Sequence, residues 1–333
     1  MEVAAARVAI TEATDIAEAR RRAVERGAAL HFDEAELGRL SIVVSEVASN
    51  VLKHGGGGDV LIGPVPGIGG DGVQVLALDR GPGIRDVDRS LRDGYSTAGT
   101  AGNGLGAIAR VASTFDLFSE AGRGTVVAAT VYRSGVTPLA IGAVSLPIVG
   151  ERRCGDGWGA WNAGGLSSLL LSDGLGHGPS AADATERALE AFRRHAERSA
   201  AEVIGFVHDA LRSTRGAAVA VAEVDHRQGT VQYCGIGNIS ASIITPDGNV
   251  QHLVSLSGIA GHNVRRIQTF TYPWRPGSVL VMHSDGINTH WTLSAYRGLA
   301  ARRPDVVAAV LMRDHRRTRD DATVAILRYG MTA

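Results

Sequence analysis

The strongest chemical signal in this sequence is a set of acidic residues placed at the ends of apolar, strand-like runs. Asp156 lies in Cys-Gly-Asp-Gly-Trp, Asp173 in Ser-Asp-Gly-Leu-Gly-His-Gly and Asp285 in His-Ser-Asp-Gly-Ile, while Asp320 and Asp321 precede Ala-Thr-Val. Carboxylates at the ends of neighbouring strands can converge although they are far apart in the chain. An all-oxygen cluster suits hard divalent cations, whereas zinc would call for His and Cys. Two such cations ~3.5–4 Å apart can clamp a phosphate and ionise a water for in-line attack. A single Asp-Gly is usually a turn, and Asp225, Asp247 and Asp314 read that way. The recurrence of an apolar strand followed by Ser-Asp-Gly, at 172–174 and again at 284–286, sets the others apart.

A second constellation lies earlier in the chain. No GxxxxGK[ST] is present, so a Walker-type nucleotide site is excluded. Glu46 and Asn50 are one helical turn apart and share a face. An amide oxygen and a carboxylate there can hold Mg²⁺, or the carboxylate can take a proton from an attacking hydroxyl. Asp79-Arg80-Gly81-Pro82-Gly83-Ile84 follows a strand. Its carboxylate can accept from the amino group of a flat base, and Gly81 and Gly83 let the backbone pass close to a ring. Gly102-Asn103-Gly104-Leu105-Gly106 opens a helix, whose free N–H groups and positive dipole end suit polyphosphate. Thr125 starts a strand that can return to the base pocket. Each piece alone also has an ordinary reading, as exposed helix face, turn or loop; the four in this order do not.

The elements that must position these groups can be read from periodicity. Residues 6–11 alternate like a strand, and 14–29 and 34–53 have helical spacing. The second of these carries Leu37, Leu40, Val43, Val44, Val47 and Val51 on one face, and His54 with the Gly55–Gly58 run ends it. Strands are expected at 59–63 and 72–79, a Gly-rich loop over 80–102, a helix at 105–113 and strands at 115–119 and 124–132. That order predicts an α/β sandwich with helices on one face of a mixed sheet. After a polar break, strands at 140–149, 158–162, 167–172, 219–225, 230–235, 239–245, 279–283 and 323–328 surround two helices at 179–195 and 201–213. They predict two stacked sheets flanked by helices. The whole reads as α+β in two domains, 1–133 and 139–333, joined by a linker at 134–138.

Bulk properties agree. The chain's 333 residues suit two domains. Lys plus Arg equals Asp plus Glu, at 34 each, which argues against a nucleic-acid partner or a polybasic membrane anchor. No apolar stretch reaches the ~18 residues of a membrane span, and no basic start leads into an apolar run, so the expectation is a cytoplasmic protein with no membrane partner. Cys154 and Cys234 lack disulfide or metal spacing and read as buried reduced thiols.

The run Ser45 to Gly55, with Asp79 to Ile84 and Gly102 to Gly106, resembles the N, G1 and G2 boxes of the Bergerat-fold (GHKL) ATPases, most of all the anti-sigma-factor serine kinases, over about residues 5–132. The resemblance implies Mg-ATP as cofactor. It implies that Asn50 holds Mg²⁺, that Asp79 contacts the adenine amino group, and that Gly102, Asn103, Gly104, Leu105 and Gly106 line the phosphates. Glu46 would be the general base, and 85–103 the ATP lid. Histidine kinases share this nucleotide fold, but no dimerising helix pair with a phosphoacceptor histidine precedes it.

The second constellation of acids resembles the metal-dependent PPM phosphatases in their SpoIIE-like branch. Asp173 to Gly178, Ser284-Asp285-Gly286, Asp320 to Val324, Thr214 to Ala218 and Gly235 to Asn238 carry that likeness, over about 139–329. It implies two Mn²⁺ or Mg²⁺ bound by Asp156, Asp173, the Gly174 carbonyl, Asp285 and Asp320, with His177 ordering the metal loop. Together the two likenesses imply a bifunctional partner-switching regulator, a serine/threonine kinase and phosphatase acting on STAS-type antagonist proteins in sigma-factor or stress signalling. The alternatives are a phosphatase whose ATP domain only senses or docks, and a non-catalytic anti-sigma or scaffold regulator.

Overall fold

The computed structural model describes residues 4–90 and 104–329. They form two compact units. One comprises Ala5–Pro138 with Ala301–Val310; the other comprises chiefly Leu139–Ala300 and the chain from Leu311 on.

The first unit runs β1 (Ala6–Ile10), α1 (Ala13–Ala29), α2 (Glu34–Gly55), β2 (Gly58–Ile68), β3 (Gly70–Asp79), a short α3 (Val87–Ser90), α4 (Gly104–Val111), β4 (Thr114–Glu120), β5 (Gly124–Tyr132) and β6 (Thr137–Pro138). The sheet order is β1-β2-β3-β5-β4, with β6 beside β2. A mixed sheet was expected here, yet every ladder is antiparallel. Tight turns join β2 to β3 and β4 to β5, and such turns reverse the chain. Helices cover one face. Leu40, Val43, Val44, Val47 and Val51 of α2 and Ile108 of α4 pack on Val60, Ile62, Val75, Ala77 and Ala129 of the sheet. This is the 3.6-residue stripe on the helix meeting the two-residue alternation of the strands.

The start and end of α2 fix where its functional residues fall. Asp33 caps it: its carboxylate accepts from Glu36 N–H at 2.8 Å, and Glu36 accepts from Asp33 N–H at 2.9 Å. Gly56, left-handed at φ 70°, ends it. Ala301–Val310 joins this unit at β4. There Asp116 accepts from the Arg303 N–H at 2.7 Å and from the Arg302 guanidinium at 3.2 Å.

The second unit contains β7 (Ile141–Leu146), β8 (Asp156–Ala163), β9 (Leu166–Gly174), α5 (Pro179–His195), α6 (Ala200–Ala210), β10 (Ala217–Asp225), β11 (Thr230–Ile236), β12 (Ser240–Ile244), β13 (Val250–His252), β14 (Ser255–Leu256), a β15–β16 hairpin (Gly258–Ile259, Asn263–Val264), β17 (Phe270–Pro273), β18 (Val279–His283) and β19 (Ala322–Arg328). One sheet is ordered β14-β11-β10-β9-β8, with β17 on β11, and the other β13-β12-β18-β19-β7. Helices α5 and α6 cover the first sheet. Leu189, Phe192, Val203 and Val207 meet Leu170, Val219 and Val221. The alternate residues Leu169, Leu171, Ala220 and Ala222 point the other way and are equally buried, as expected between stacked sheets.

Periodicity gives no sign of the short α3, which lies in the segment read as a loop, or of the longer α7 (Pro304–His315). Val306 to Leu311 are all fully buried, so the helix has no polar stripe to betray its period. Pro304 at its first turn was the available start signal. Among the described residues no helix is long and apolar enough to cross a membrane. Cys154 and Cys234 are buried and not disulfide-bonded, and burial pushes both thiols up, Cys234 to about 11.

The cap on α2 yields a direct test. Asp33→Ala should cost about 1 kcal/mol in urea unfolding of the full chain, and Asp33→Asn much less, because an amide oxygen can still cap the helix. Equal losses in the two variants would remove the capping argument.

Candidate functional sites

In the first unit the fold brings three separated pieces together. Glu46 and Asn50 both face Gly104, the first residue of α4. A methyl group on Gly104 would stand 3.2 Å from Asn50 Oδ1 and 3.3 Å from Glu46 Oε2. Asn50 Nδ2 is buried without a hydrogen-bond partner, so the amide keeps unspent polar capacity at this point. Gly104 also begins the helix, and its neighbours' free N–H groups therefore open on the same place.

Asp79 closes β3 and is buried. Its Oδ1 accepts from Gly81 N–H at 2.9 Å and Thr125 N–H at 3.1 Å. This links the Asp-Arg-Gly-Pro-Gly run to the start of β5. Ser119 adds to the link: its Oγ accepts from Ile84 N–H at 2.7 Å and lies 2.9 Å from Thr125 Oγ1. Gly55 is where α2 meets Asp79, and a Cβ there would stand 2.6 Å from the Asp79 Cβ, so no larger residue fits. Gly81 and Gly83 are crowded by protein backbone, at Gly55 and Glu120 respectively. The Leu105 side chain packs on the core and Gly106 is buried, so both can offer only backbone to a ligand. Gly102, Asn103 and most of the 85–103 segment lie outside the described residues. His54 is exposed in the last turn of α2.

In the second unit Asp156 and Asp173 stand opposite one another on the paired strands β8 and β9. Asp285 follows β18 and Asp320 precedes β19, and these strands are also paired. All four acids gather at one end of the stacked sheets. Asp156 is buried, and its Oδ2 has no hydrogen-bond partner. Burial first, and then the Asp173 charge, hold its carboxyl well above the usual range; Ser284 hydrogen-bonds to it. Asp173 is pushed up to about 7 by burial and by the charges of Asp285, Asp320 and Asp321. Burial and Asp285 move Asp320 in the same direction. Asn238 Nδ2 donates to Asp285 Oδ2 at 2.8 Å. Among the described residues no three acidic, His or Cys side chains converge on a single point.

The second acid of the final pair does something different. Asp321 Oδ1 accepts from Ile148 N–H at 2.7 Å, and Oδ2 from Gly155 N–H at 2.8 Å. Both of its oxygens hold backbone, while its charge still acts on Asp156 and, with that of Asp320, on Asp173. The two Ser-Asp-Gly repeats share one cause. A Cβ on Gly174 would lie 2.2 Å from the Ala181 carbonyl, and one on Gly286 would lie 1.9 Å from the Asp321 carbonyl. His177 is exposed, with Nδ1 3.2 Å from Glu151 Oε1. Asp225 is a turn residue, accepting from the N–H groups of Arg227 and Gln228. A cavity of about 330 Å³, lined by His252, His283, Trp291 and Tyr296 among others, contains none of these acids.

An all-carboxylate cluster with an unmet buried oxygen fits hard divalent cations, and the Asn50–Glu46–Gly104 corner fits a magnesium-bound polyphosphate. Sequence reading had noted Asn238 only within a longer run and had not separated the role of Asp321. None of these three hydrogen bonds has a local signature, since the partners lie 47 residues or more apart.

The crowding of acids predicts a metal-free phenotype. With its carboxyl at about 7 in the fold against an ordinary 3.8, Asp173 contributes stability that is full below about pH 4 and lost as pH rises through 7. Asp285→Asn removes the neighbouring charge that acts most on Asp173. In chelator at pH 8 it should raise the melting temperature by a few degrees, roughly 1 kcal/mol or more, and flatten the decline between pH 4 and 8. A variant that melts lower at pH 8 with the slope unchanged would contradict the repulsion.

Comparison with known proteins places both sites in context. The family model described as stage II sporulation protein E (SpoIIE) matches residues 163–330, and that of the histidine kinase-like ATPase domain matches residues 10–131. The serine/threonine-protein kinase RsbT of Bacillus subtilis (strain 168) is 36% identical over 115 residues, which is 34% of this chain and 86% of RsbT. The phosphoserine phosphatase RsbX of the same organism is 25% identical over 118 residues, 35% of this chain and 59% of RsbX. A solved chain of the bacterial stressosome, described as a modular system adapted to control secondary messenger signalling, is 29% identical, with a TM-score of 0.53 over 56% of this chain and 98% of that one. With a SpoIIE match across half its length and a kinase-like ATPase match ahead of it, the chain belongs to the SpoIIE family and joins an RsbT-like ATPase domain to a PPM phosphatase domain.

Proposed function

We propose that this chain is a bifunctional partner-switching regulator. Its first unit is an ATP-dependent protein serine/threonine kinase, and its second a metal-dependent phosphoserine/phosphothreonine phosphatase. The substrates are STAS-type antagonist proteins in cytoplasmic sigma-factor or stress signalling. One observation carries the kinase half: Glu46 stands with Asn50 against Gly104, where a base is needed for transfer and not for binding. Likeness to a named kinase in one half and a named phosphoserine phosphatase in the other supports the pairing.

In the first unit Glu46 takes the proton of the attacking serine or threonine hydroxyl. Asn50 holds the magnesium of Mg-ATP, Asp79 reads the adenine amino group, and the α4 N-terminus receives the phosphates. In the second unit Asp156, Asp173, the Gly174 carbonyl, Asp285 and Asp320 hold two Mn²⁺ or Mg²⁺. Those cations would supply the charge that binds a phosphate and acidifies an attacking water. Asn238 orients Asp285, and Asp321 fixes the backbone on which Asp156 is set. Running both activities together on one partner would consume ATP to no effect, so either one of them is gated or the two act on different partners.

The test is incubation with a candidate STAS protein followed by intact mass. One phosphate should be gained with Mg-ATP and lost again with Mn²⁺ once ATP is removed. Glu46→Gln should keep ATP affinity within about twofold and lower phosphoryl transfer by ~100-fold or more. Unchanged transfer would dismiss Glu46 as the base, and wild-type protein that binds ATP but adds no phosphate would leave a nucleotide-sensing phosphatase. In a separate measurement, Mn²⁺ should raise the melting temperature of the wild type and not that of Asp173→Asn. An equal rise in both would take Asp173 out of the metal site.

A further inference from the structure

The cavity of about 330 Å³ in the second unit belongs to neither site, and its volume is that of a small-molecule pocket. Its floor is one face of β12 and β18. Ser240, Ser242 and Ile244 alternate along β12, with Ser240 opposite His283 and Ile244 opposite Val279. Its wall is the chain that follows β18, with Trp291, Tyr296 and Arg297 on it.

A sheet face that packs on protein is normally apolar. This floor is polar although Ser242 and His283 are both buried, and Ser242 Oγ lies 2.9 Å from His252 Nδ1. His283 Nδ1 donates to the Ser284 carbonyl at 2.8 Å, and its Nε2 makes no hydrogen bond among the described residues. The His283 and Trp291 rings meet edge to face, with centroids 5.8 Å apart, and form a corner suited to a flat ring. The Trp291 indole N–H is buried with no acceptor, so the wall keeps an unmet donor. Among the described residues that line the cavity there is no carboxylate. Arg297 is exposed and makes neither a salt bridge nor a hydrogen bond among them. This charge balance favours an anion.

The cavity also borders the turn that carries Asp285. β18 leads into Ser284-Asp285-Gly286, and the wall segment leaves it. The Ser284 carbonyl that accepts from His283 also accepts from Ile287 N–H at 3.3 Å and so closes the turn. Arg317 N–H donates to Gly286 O and Asn288 N–H to His315 O, each at 2.8 Å, which ties the turn to the chain after α7. His283 is the cavity's direct hold on it.

We propose that this cavity is a regulatory site for a planar heteroaromatic small molecule bearing a negative charge. The ring lies in the corner of Trp291 and His283, its polar edge meets the β12 serines and His283, and its charge meets Arg297. Occupation alters the turn of Asp285 and with it the affinity for metal. That effect rests on Asp285 being a metal ligand, as proposed above; the binding itself does not.

Cinchoninate, a flat quinoline carboxylate, tests this on the full chain labelled with fluorotryptophan. The Trp291 fluorine resonance, identified by its loss in Trp291→Phe, should shift on titration with a dissociation constant of about 1 mM or tighter. Arg297→Ala should weaken binding about fivefold, and the neutral amide of cinchoninate should bind the wild type as weakly. Ser294→Phe, which places a ring in the cavity from an exposed position, should abolish binding. At saturation cinchoninate should change the affinity for Mn²⁺ by about twofold or more. An unmoved Trp291 resonance, or binding that either variant leaves unchanged, overturns the site. Binding without any change in Mn²⁺ affinity overturns the coupling to Asp285. A protein that binds cinchoninate in this way but no Mn²⁺ would instead refute the metal-site reading and leave the cavity assignment standing.

Discussion

Two backbone N–H groups, of Ile148 and Gly155, donate to the two oxygens of Asp321, and the arrangement of the second unit depends on that carboxylate. Asp321 is almost wholly buried, so its charge must be met by donors that cannot move away. Backbone amides on a fixed loop satisfy this better than a flexible side chain. The consequences spread outward from Gly155. Its carbonyl accepts from Gly174 N–H at 2.9 Å, and Thr185 of α5 donates to it at 2.5 Å. Asp156 is the next residue, and its place opposite Asp173 follows. One satisfied carboxylate therefore sets the unsatisfied ones.

The two sites solve opposite electrostatic problems. In the first unit the buried acid, Asp79, is met by the N–H groups of Gly81 and Thr125 and serves as a joint between two segments. In the second unit Asp156 and Asp173 are buried next to each other, and both are driven upward by burial and by like charge. Such a cluster weakens the protein that carries it unless a cation compensates.

Much of both units was open to a reading of the chain. The 34–53 stripe gave α2, and α2 gave the shared face of Glu46 and Asn50. The repeated Ser-Asp-Gly gave two of the four acids, and the recurring glycine proved to mark places where another backbone passes too close for a Cβ. Two features escaped for physical reasons. Helix α7 is buried on all sides, so its sequence has no amphipathic period to detect. The antiparallel character of the first sheet escaped because strand direction depends on how each connection returns, which residue patterns within a strand do not record.

The sequence by itself determined the chemistry on offer: which acids and amides exist, which strand ends they occupy, and which glycines precede or follow them. It also determined the helices whose apolar stripe has a clear period, because that pattern is local. Only the tertiary structure gave Asp321 its backbone partners, since the N–H groups it accepts from are more than 160 residues away in the chain. Only the tertiary structure put Gly104 against Glu46 and Asn50, and engaged Arg153 with Asp183 and Glu186. Residue type fixes what a side chain can do, but its partners in space fix what remains free for it to do.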